Sequence, residues 1–472
     1  MLLVAGPAWA EDAPRSPTPA WQKLPARVVD VARGLEHPWG LAFVPDGRLL
    51  VTERPGRLRI VAAGGALSAP LSGVPAVYAR GQGGLLDVAL SPTFAQDRLV
   101  YLSFSEPGSG GAGTAVARGR LGPGGLEDTQ VIWRQQPKVE GPNHWGSRLV
   151  FRPDGTLFVT LGERFGYRDR AQDLSVTLGK VVRINPDGSI PRDNPFAASS
   201  GGPAGALPEI WSYGHRNVQA ATLDAESRLW KVEHGAMGGD ELNHPEAGKN
   251  YGWPVITYGL DYSGAKIGIG TSKPGMEQPV YYWDPVIAPS GAVFYTGSAF
   301  PEWRGDLLVG SLRPGGLVRL RLQNGRVTLE ERYLHEPGER IRDVRQGRRR
   351  ALPSHRREPR PDSPPGAGRS LTRRPAPRSR TSPSRSGPRQ RLARFGAVAA
   401  RVARHHVLDG RPPERGLVQR IGRGRDLEPP EGGTVDASRL GDAAWDGPVV
   451  RTPDRVGGHL GALRDRHDGA RE

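Results

Sequence analysis

The 472-residue chain has no cysteine, which excludes disulfides and thiolate metal sites. It has no apolar run long enough to cross a bilayer, so no membrane span is expected. Helical periodicity is nearly absent. Lysine is missing from Gly347 to Glu472, a stretch with 28 arginines and 14 acidic residues. The formal net charge of +16 therefore belongs almost wholly to that stretch. The 346 residues before it hold 37 basic and 35 acidic residues, a net of +2. A basic face for nucleic acid is not expected on them.

What the chain has in plenty is turn chemistry, with 65 glycines and 45 prolines. Residues 1–10 end in Ala8-Trp9-Ala10 before Glu11 and Asp12, as at the end of a secretory signal with a small-x-small cleavage site. An exported, periplasmic protein is expected. Residues 11–26 read as a loose Pro-rich leader.

From residue 27 to 347 strand–turn–strand units recur. Pro38 to Glu53 turns at Pro45-Asp46-Gly47, and Trp145 to Phe165 turns at Pro153-Asp154-Gly155. Leu86 to Phe104, Gln219 to His234 and Ile287 to Leu320 are related units, and a sixth begins at Ile341. Repeats of about 50 to 70 residues with little helix between them predict an all-β, six-bladed β-propeller with its last blade incomplete. A pair of β-sandwiches fits less well, because sandwich strands do not repeat one turn signature.

After Gly347 the pattern stops. Arg348 to Pro353 admits codons that, regrouped one base later, read Asp-Gly-Ala-Leu-Tyr, the missing turn and strand. Residues 348–472 are thus read as an Arg/Pro-rich disordered tail of frameshift origin. A natural disordered tail is the alternative.

Loops of a propeller converge, so distant residues share one site. His144 lies in a Gly-rich loop just before a strand, and Glu163 ends the second strand of the same hairpin. That pair suits proton transfer, the carboxylate fixing the imidazole tautomer. A lone structural histidine is the plainer alternative. Arg216 and Asn217 follow Trp211-Ser212-Tyr213-Gly214-His215, where an arginine could clamp a carboxylate or make a surface ion pair. Gly235 to Asn243, with Asp240 and Glu241, offers oxygen ligands of the kind calcium takes, or is simply a polar loop. Arg313, Arg340 and Arg342 on separate loops would suit a polycarboxylate, or are solvated surface charges.

Taken together, the motifs Arg80 to Asp87, Asn143-His144-x-Gly146-x-Arg148, Gly214 to Asn217, Gly238 to Asn243, Asn250 to Pro254 and Arg340 to Val344 closely resemble the soluble PQQ-dependent aldose sugar dehydrogenases. These are related to soluble quinoprotein glucose dehydrogenase. The resemblance covers about residues 27 to 347. It implies pyrroloquinoline quinone (PQQ) held with Ca2+, and oxidation of an aldose to its lactone by hydride transfer. It implies His144 as the base, supported by Glu163, with Arg216 beside the reacting atoms. Gln82, Asn217, Tyr262, Arg313, Arg340 and Arg342 match positions that line the quinone or substrate. Gly235 and Ala236 match carbonyl ligands of the cofactor's calcium, and Glu241 and Tyr251 match a calcium site. Ala236 replaces a common proline, and Arg313 stands where the glucose enzymes carry lysine. The implied partners are an aldose and an unidentified electron acceptor, with the chain a monomer or homodimer. A lactonase-like hydrolase and a non-catalytic binding propeller are the alternatives. The inner arginines suit an anionic cofactor better than a hydrolase's carboxylate cage.

Overall fold

Each Pro-Asp-Gly turn is closed by its aspartate: Arg48 N donates to Asp46 Oδ1 at 3.0 Å, Thr156 N to Asp154 Oδ1 at 2.9 Å and Ser189 N to Asp187 Oδ1 at 2.9 Å. The Asp224-Ala225-Glu226-Ser227 turn closes the same way, Arg228 N donating to Asp224 Oδ1 at 2.9 Å. The apolar runs on either side of the Asp46, Asp154 and Asp224 turns then pair antiparallel. These interactions belong to a computed structural model that describes residues 19–26, 28–334 and 340–347, with the backbone of 397–399. The expected signal segment and nearly all of the expected tail lie outside the described residues.

Five blades of an all-β propeller follow one another. The first is Pro38–Phe43, Leu49–Glu53 and Arg57–Val61. The second is Leu85–Leu90, Leu99–Gly108, Gly111–Leu121 and Leu126–Arg134. The third is Leu149–Phe151, Leu157–Thr160, Lys180–Ile184 and Ile210–Tyr213. The fourth is Val218–Leu223, Leu229–Glu233, Asp240–Asn243 and Tyr281–Trp283. The fifth is Pro289–Phe294, Leu307–Ser311, Leu317–Gln323 and Arg326–Tyr333. The sixth repeat supplies Val344–Gln346, which pairs antiparallel with Ala397–Ala399. The count among the described residues is therefore five blades, the first of three strands and the others of four, and one further two-stranded pair.

First strands of successive blades pack on one another and form the inner wall. Four of them share one burial pattern, with four buried residues followed by two half-buried ones. Each of the four carries a register shift near its start. A bulge there bends the strand and re-aims the loop before it. Apolar side chains fill the spaces between blades, as where Leu102 and Ala117 of the second blade pack with Leu50 and Leu58 of the first.

Charge joins the sixth repeat to the earlier blades. Asp87 of the second blade, Arg148 just before the third, and Asp343 and Arg345 of the sixth repeat form a buried four-membered network. Asp343 Oδ2 also accepts from Leu41 N of the first blade at 3.2 Å.

Trp21 and Gln22, in the stretch expected to be loose, pair in parallel with Arg332 and Tyr333. They cover the free edge of the fifth blade. Gly316 permits this, since it has φ +96° and a Cβ there would stand 2.6 Å from the Trp21 ring. Gly316→Ala is expected to cost about 1–2 kcal/mol and to expose Trp21. Chemical denaturation and a red shift in tryptophan emission would check this.

Candidate functional site

The loop before the third blade is built around one histidine. His144, Gly146 and Ser147 all have positive φ, at 53°, 62° and 85°. Such a backbone is strained for His144 and must be held from outside. Arg164 does this, donating to Asn143 O at 3.0 Å, Ala112 O at 2.7 Å and Gly141 O, with its guanidinium 3.4 Å above the Trp145 ring. Burial depresses the Arg164 pKa to about 10, so it remains charged. Gly162 lets the loop approach, because a Cβ at that position would stand 2.3 Å from His144 O.

His144 is completely buried, and its Nδ1 lies 2.6 Å from Glu163 Oε2. Gln82 Oε1 accepts from His144 N at 2.9 Å. Phe165 meets the imidazole edge-on with centroids 5.2 Å apart, and its own amide donates to Glu163 Oε2 at 3.1 Å. Nε2 has no hydrogen-bond partner among the described residues. With Glu163 ionised, the proton belongs on Nδ1, which leaves the Nε2 lone pair free. Burial lowers the His144 pKa, and Arg216 and Arg164 lower it further against the opposing pull of Glu163. Burial pushes Glu163 up, but His144, Arg216 and the Phe165 amide outweigh it, so its pKa is lowered.

Arg216 sits across the same space. Nη1 donates to His234 O at 3.3 Å and to Gly235 O, and Nη2 reaches the Tyr262 hydroxyl at 3.4 Å. Its guanidinium stands 5.2 Å from the Trp253 ring centroid. Asn217 Oδ1 accepts from Gly146 N at 3.1 Å, which ties the fourth blade to the histidine loop. Asp240 fixes the Gly235 loop from below, accepting from Gly235 N at 2.8 Å and from the Ile287 and Ala288 amides. Burial pushes its carboxyl to about 7 despite those amides. Ala236 is buried beside Trp253 and Tyr262.

The expected residues thus fall into groups. Gln82, His144, Glu163, Arg216, Asn217, Gly235, Ala236 and Tyr262 come together. Arg342 joins them through Gln219, whose Oε1 accepts from Arg342 Nη1 at 3.2 Å and whose Nε2 donates to Asn217 Oδ1 at 3.2 Å. Burial, and then Arg340, Arg54 and Arg148, depress Arg342 to about 9. Arg340 is exposed in part; burial of the remainder lowers its pKa. Arg313 is exposed, and its amide bonds Ile287 O at 3.3 Å. Glu241 and Tyr251 lie apart, around Lys231 and Glu233. Gln219, Arg54 and Phe165 escape a reading of the sequence. Only Gln219 leaves a trace there, two positions after Asn217, just past the same motif.

Arg54, Arg340 and Arg342 make no ion pair among the described residues, and Arg54 Nε is buried without a partner. Burial and Arg340 lower the Arg54 pKa. Three adjacent guanidiniums of this kind suit a ligand with several negative charges.

Comparisons with known proteins supply the family. A family model described as Glucose / Sorbosone dehydrogenase matches residues 35–352. Aldose sugar dehydrogenase YliI of Escherichia coli is 50% identical over 320 residues, covering 66% of this chain and 85% of that protein. A crystal structure of a glucose dehydrogenase aligns at TM-score 0.65 with 52% identity, over 66% of this chain and 91% of that one. The PQQ-bound form of an aldose sugar dehydrogenase from Streptomyces coelicolor aligns at TM-score 0.56 with 32% identity, over 66% and 86%.

Proposed function

The chain belongs to the glucose/sorbosone dehydrogenase family, and from that premise we propose that it oxidises the anomeric carbon of aldoses to lactones with PQQ as hydride acceptor. The observation that carries the reading is the buried His144–Glu163 pair, with its free Nε2 beside Arg216. The chain's own residues fit the quinone: Arg54, Arg340 and Arg342 supply unpaired positive charge for its carboxylates, and Gln82, Asn217 and Tyr262 line the space between. Bound there, the quinone would supply a hydride acceptor and calcium a Lewis acid. For Gly235 and Ala236 to offer carbonyls to that calcium, Arg216 Nη1 must leave Gly235 O.

His144 Nε2 takes the proton of the anomeric hydroxyl. Glu163 holds the ring in the competent tautomer and stabilises the imidazolium that forms. Arg216, freed from Gly235 O, places positive charge where negative charge develops. Phe165 and Trp253 keep water from the imidazole and the guanidinium. The six-bladed ring, the export to the periplasm and the unidentified electron acceptor belong to the same proposal.

The full chain, supplied with PQQ and calcium, is expected to reduce a redox dye in the presence of aldoses. No PQQ binding would reject the reading. Arg340→Ala and Arg342→Ala are each expected to weaken PQQ binding by about 10- to 100-fold, the effect of losing one charge-assisted contact. Fluorescence titration would measure it, and unchanged affinity would count against the assignment.

A further inference from the structure

Behind the quinone site lies a second polar cluster. Glu233 and Glu241 stand directly opposite on adjacent strands of the fourth blade, and Lys231 is opposite Asn243. Alternation along the strands puts all four side chains on one face. Two facing carboxylates repel and call for a cation between them. The resemblance to the sugar dehydrogenases implies that Glu241 and Tyr251 help to hold calcium here.

The residues present do not fit a metal. The Lys231 side chain is fully buried, and Nζ meets Glu233 Oε1 as an ion pair. Its charge acts on Glu241 as well. The Tyr251 ring centroid is 5.4 Å from Nζ. The Tyr251 hydroxyl is committed to the backbone, donating to His244 O at 2.6 Å and accepting from Glu246 N at 2.9 Å. Among the described residues no group of three His, Cys, Asp or Glu side chains could hold a metal. A divalent ion beside Glu241 would meet the ammonium at close range in a poorly solvated space, where like charges repel strongly. The third blade offers a parallel: Lys180 Nζ is held by the carbonyls of Arg170, Ala171 and Leu178 at 2.9, 3.0 and 2.7 Å.

We infer that the Lys231 ammonium is the resident cation of the Glu233–Glu241–Tyr251 pocket, so that this chain takes no metal there. Glu233 ties the pocket to the catalytic side, since its Oε2 accepts from Arg216 N at 2.6 Å. The internal cation thereby holds the backbone of Arg216 without recourse to calcium.

The test is thermal unfolding of the full chain with EDTA or with calcium chloride alone. It needs neither quinone nor sugar, so it stands apart from the dehydrogenase proposal. The wild-type protein is expected to show no calcium response that Glu241→Gln removes. Lys231→Gln is expected to lower Tm and to regain about 5 °C at calcium near 100-fold above its Kd. Adding Glu241→Gln to that variant is expected to abolish the response. A wild-type calcium response lost in Glu241→Gln would overturn the inference, and so would a folded Lys231→Gln that ignores calcium. If Lys231→Gln does not fold, the comparison of wild type with Glu241→Gln still decides.

Discussion

His144→Ala is expected to lower kcat for aldose oxidation by about 10^2- to 10^4-fold, the range for removal of a general base, while PQQ still binds. The imidazole touches Glu163 and Phe165 and otherwise leaves Nε2 free. Its loss removes a proton acceptor without removing any arginine of the quinone site. Glu163→Gln is expected to cost less, about 10- to 100-fold, because glutamine still positions the ring. The pH profile separates catalysis from scaffolding. The base works only when neutral, so activity is lost as pH falls through its pKa. Burial, Arg216 and Arg164 hold that pKa below the ordinary value of 6.5. The acid limb of kcat/KM should therefore fall below pH 6.5. Glu163 raises the His144 pKa, so Glu163→Gln should move the limb to still lower pH. A limb that moves upward, or unchanged turnover in His144→Ala, would remove His144 from this role.

Arg148→Ala should destabilise the fold more than any surface change. Its Nη1 lies 3.0 Å from Asp87 Oδ1 and 3.2 Å from Asp343 Oδ1, and its guanidinium stands 4.4 Å from the Trp39 ring centroid. Arg345 contacts the same two carboxylates, at 2.9 and 3.0 Å. The network is neutral overall, with two cations and two anions, and every member except Arg345 is at least 99% buried. Burial pushes Asp343 up, but Arg148 and Arg345 outweigh it and its pKa is lowered. Removal of Arg148 leaves two buried carboxylates with one cation, at a cost of about 3–5 kcal/mol. The ion pair of Arg228 with Asp224 is the control. Arg228 is half exposed, and Arg228→Ala should cost about 0–1 kcal/mol. Urea unfolding would measure both. The double change Arg148→Ala with Asp87→Asn should cost less than the sum of the single changes, because the stranded charge goes with its partner. Full additivity would mean that the network does not act as a unit.

Much of the site was legible because glycine leaves a signature wherever backbone must come close or turn left-handed. His144, Arg216, Asn217 and Gly235 all sit in such stretches, and the structure brings them together. The strand before a turn and the strand after it were legible for the same local reason, through Asp46, Asp154 and Asp224. The parallel pairing of Trp21 with the fifth blade was not, since nothing near Trp21 in sequence specifies its partner.

Local chemistry thus determined the strands, the turns and the residue types offered to the site, since each depends on neighbours along the chain. The tertiary structure alone decided which of those residues share a space. It left Arg313 exposed, gave Arg54 to the arginine cluster, and joined Arg342 to the catalytic side through Gln219. It set Lys231, an ordinary strand residue in the sequence, against the Glu233 carboxylate and within electrostatic reach of Glu241. Charge acts through space and strengthens with burial, and neither distance nor burial is written along the chain.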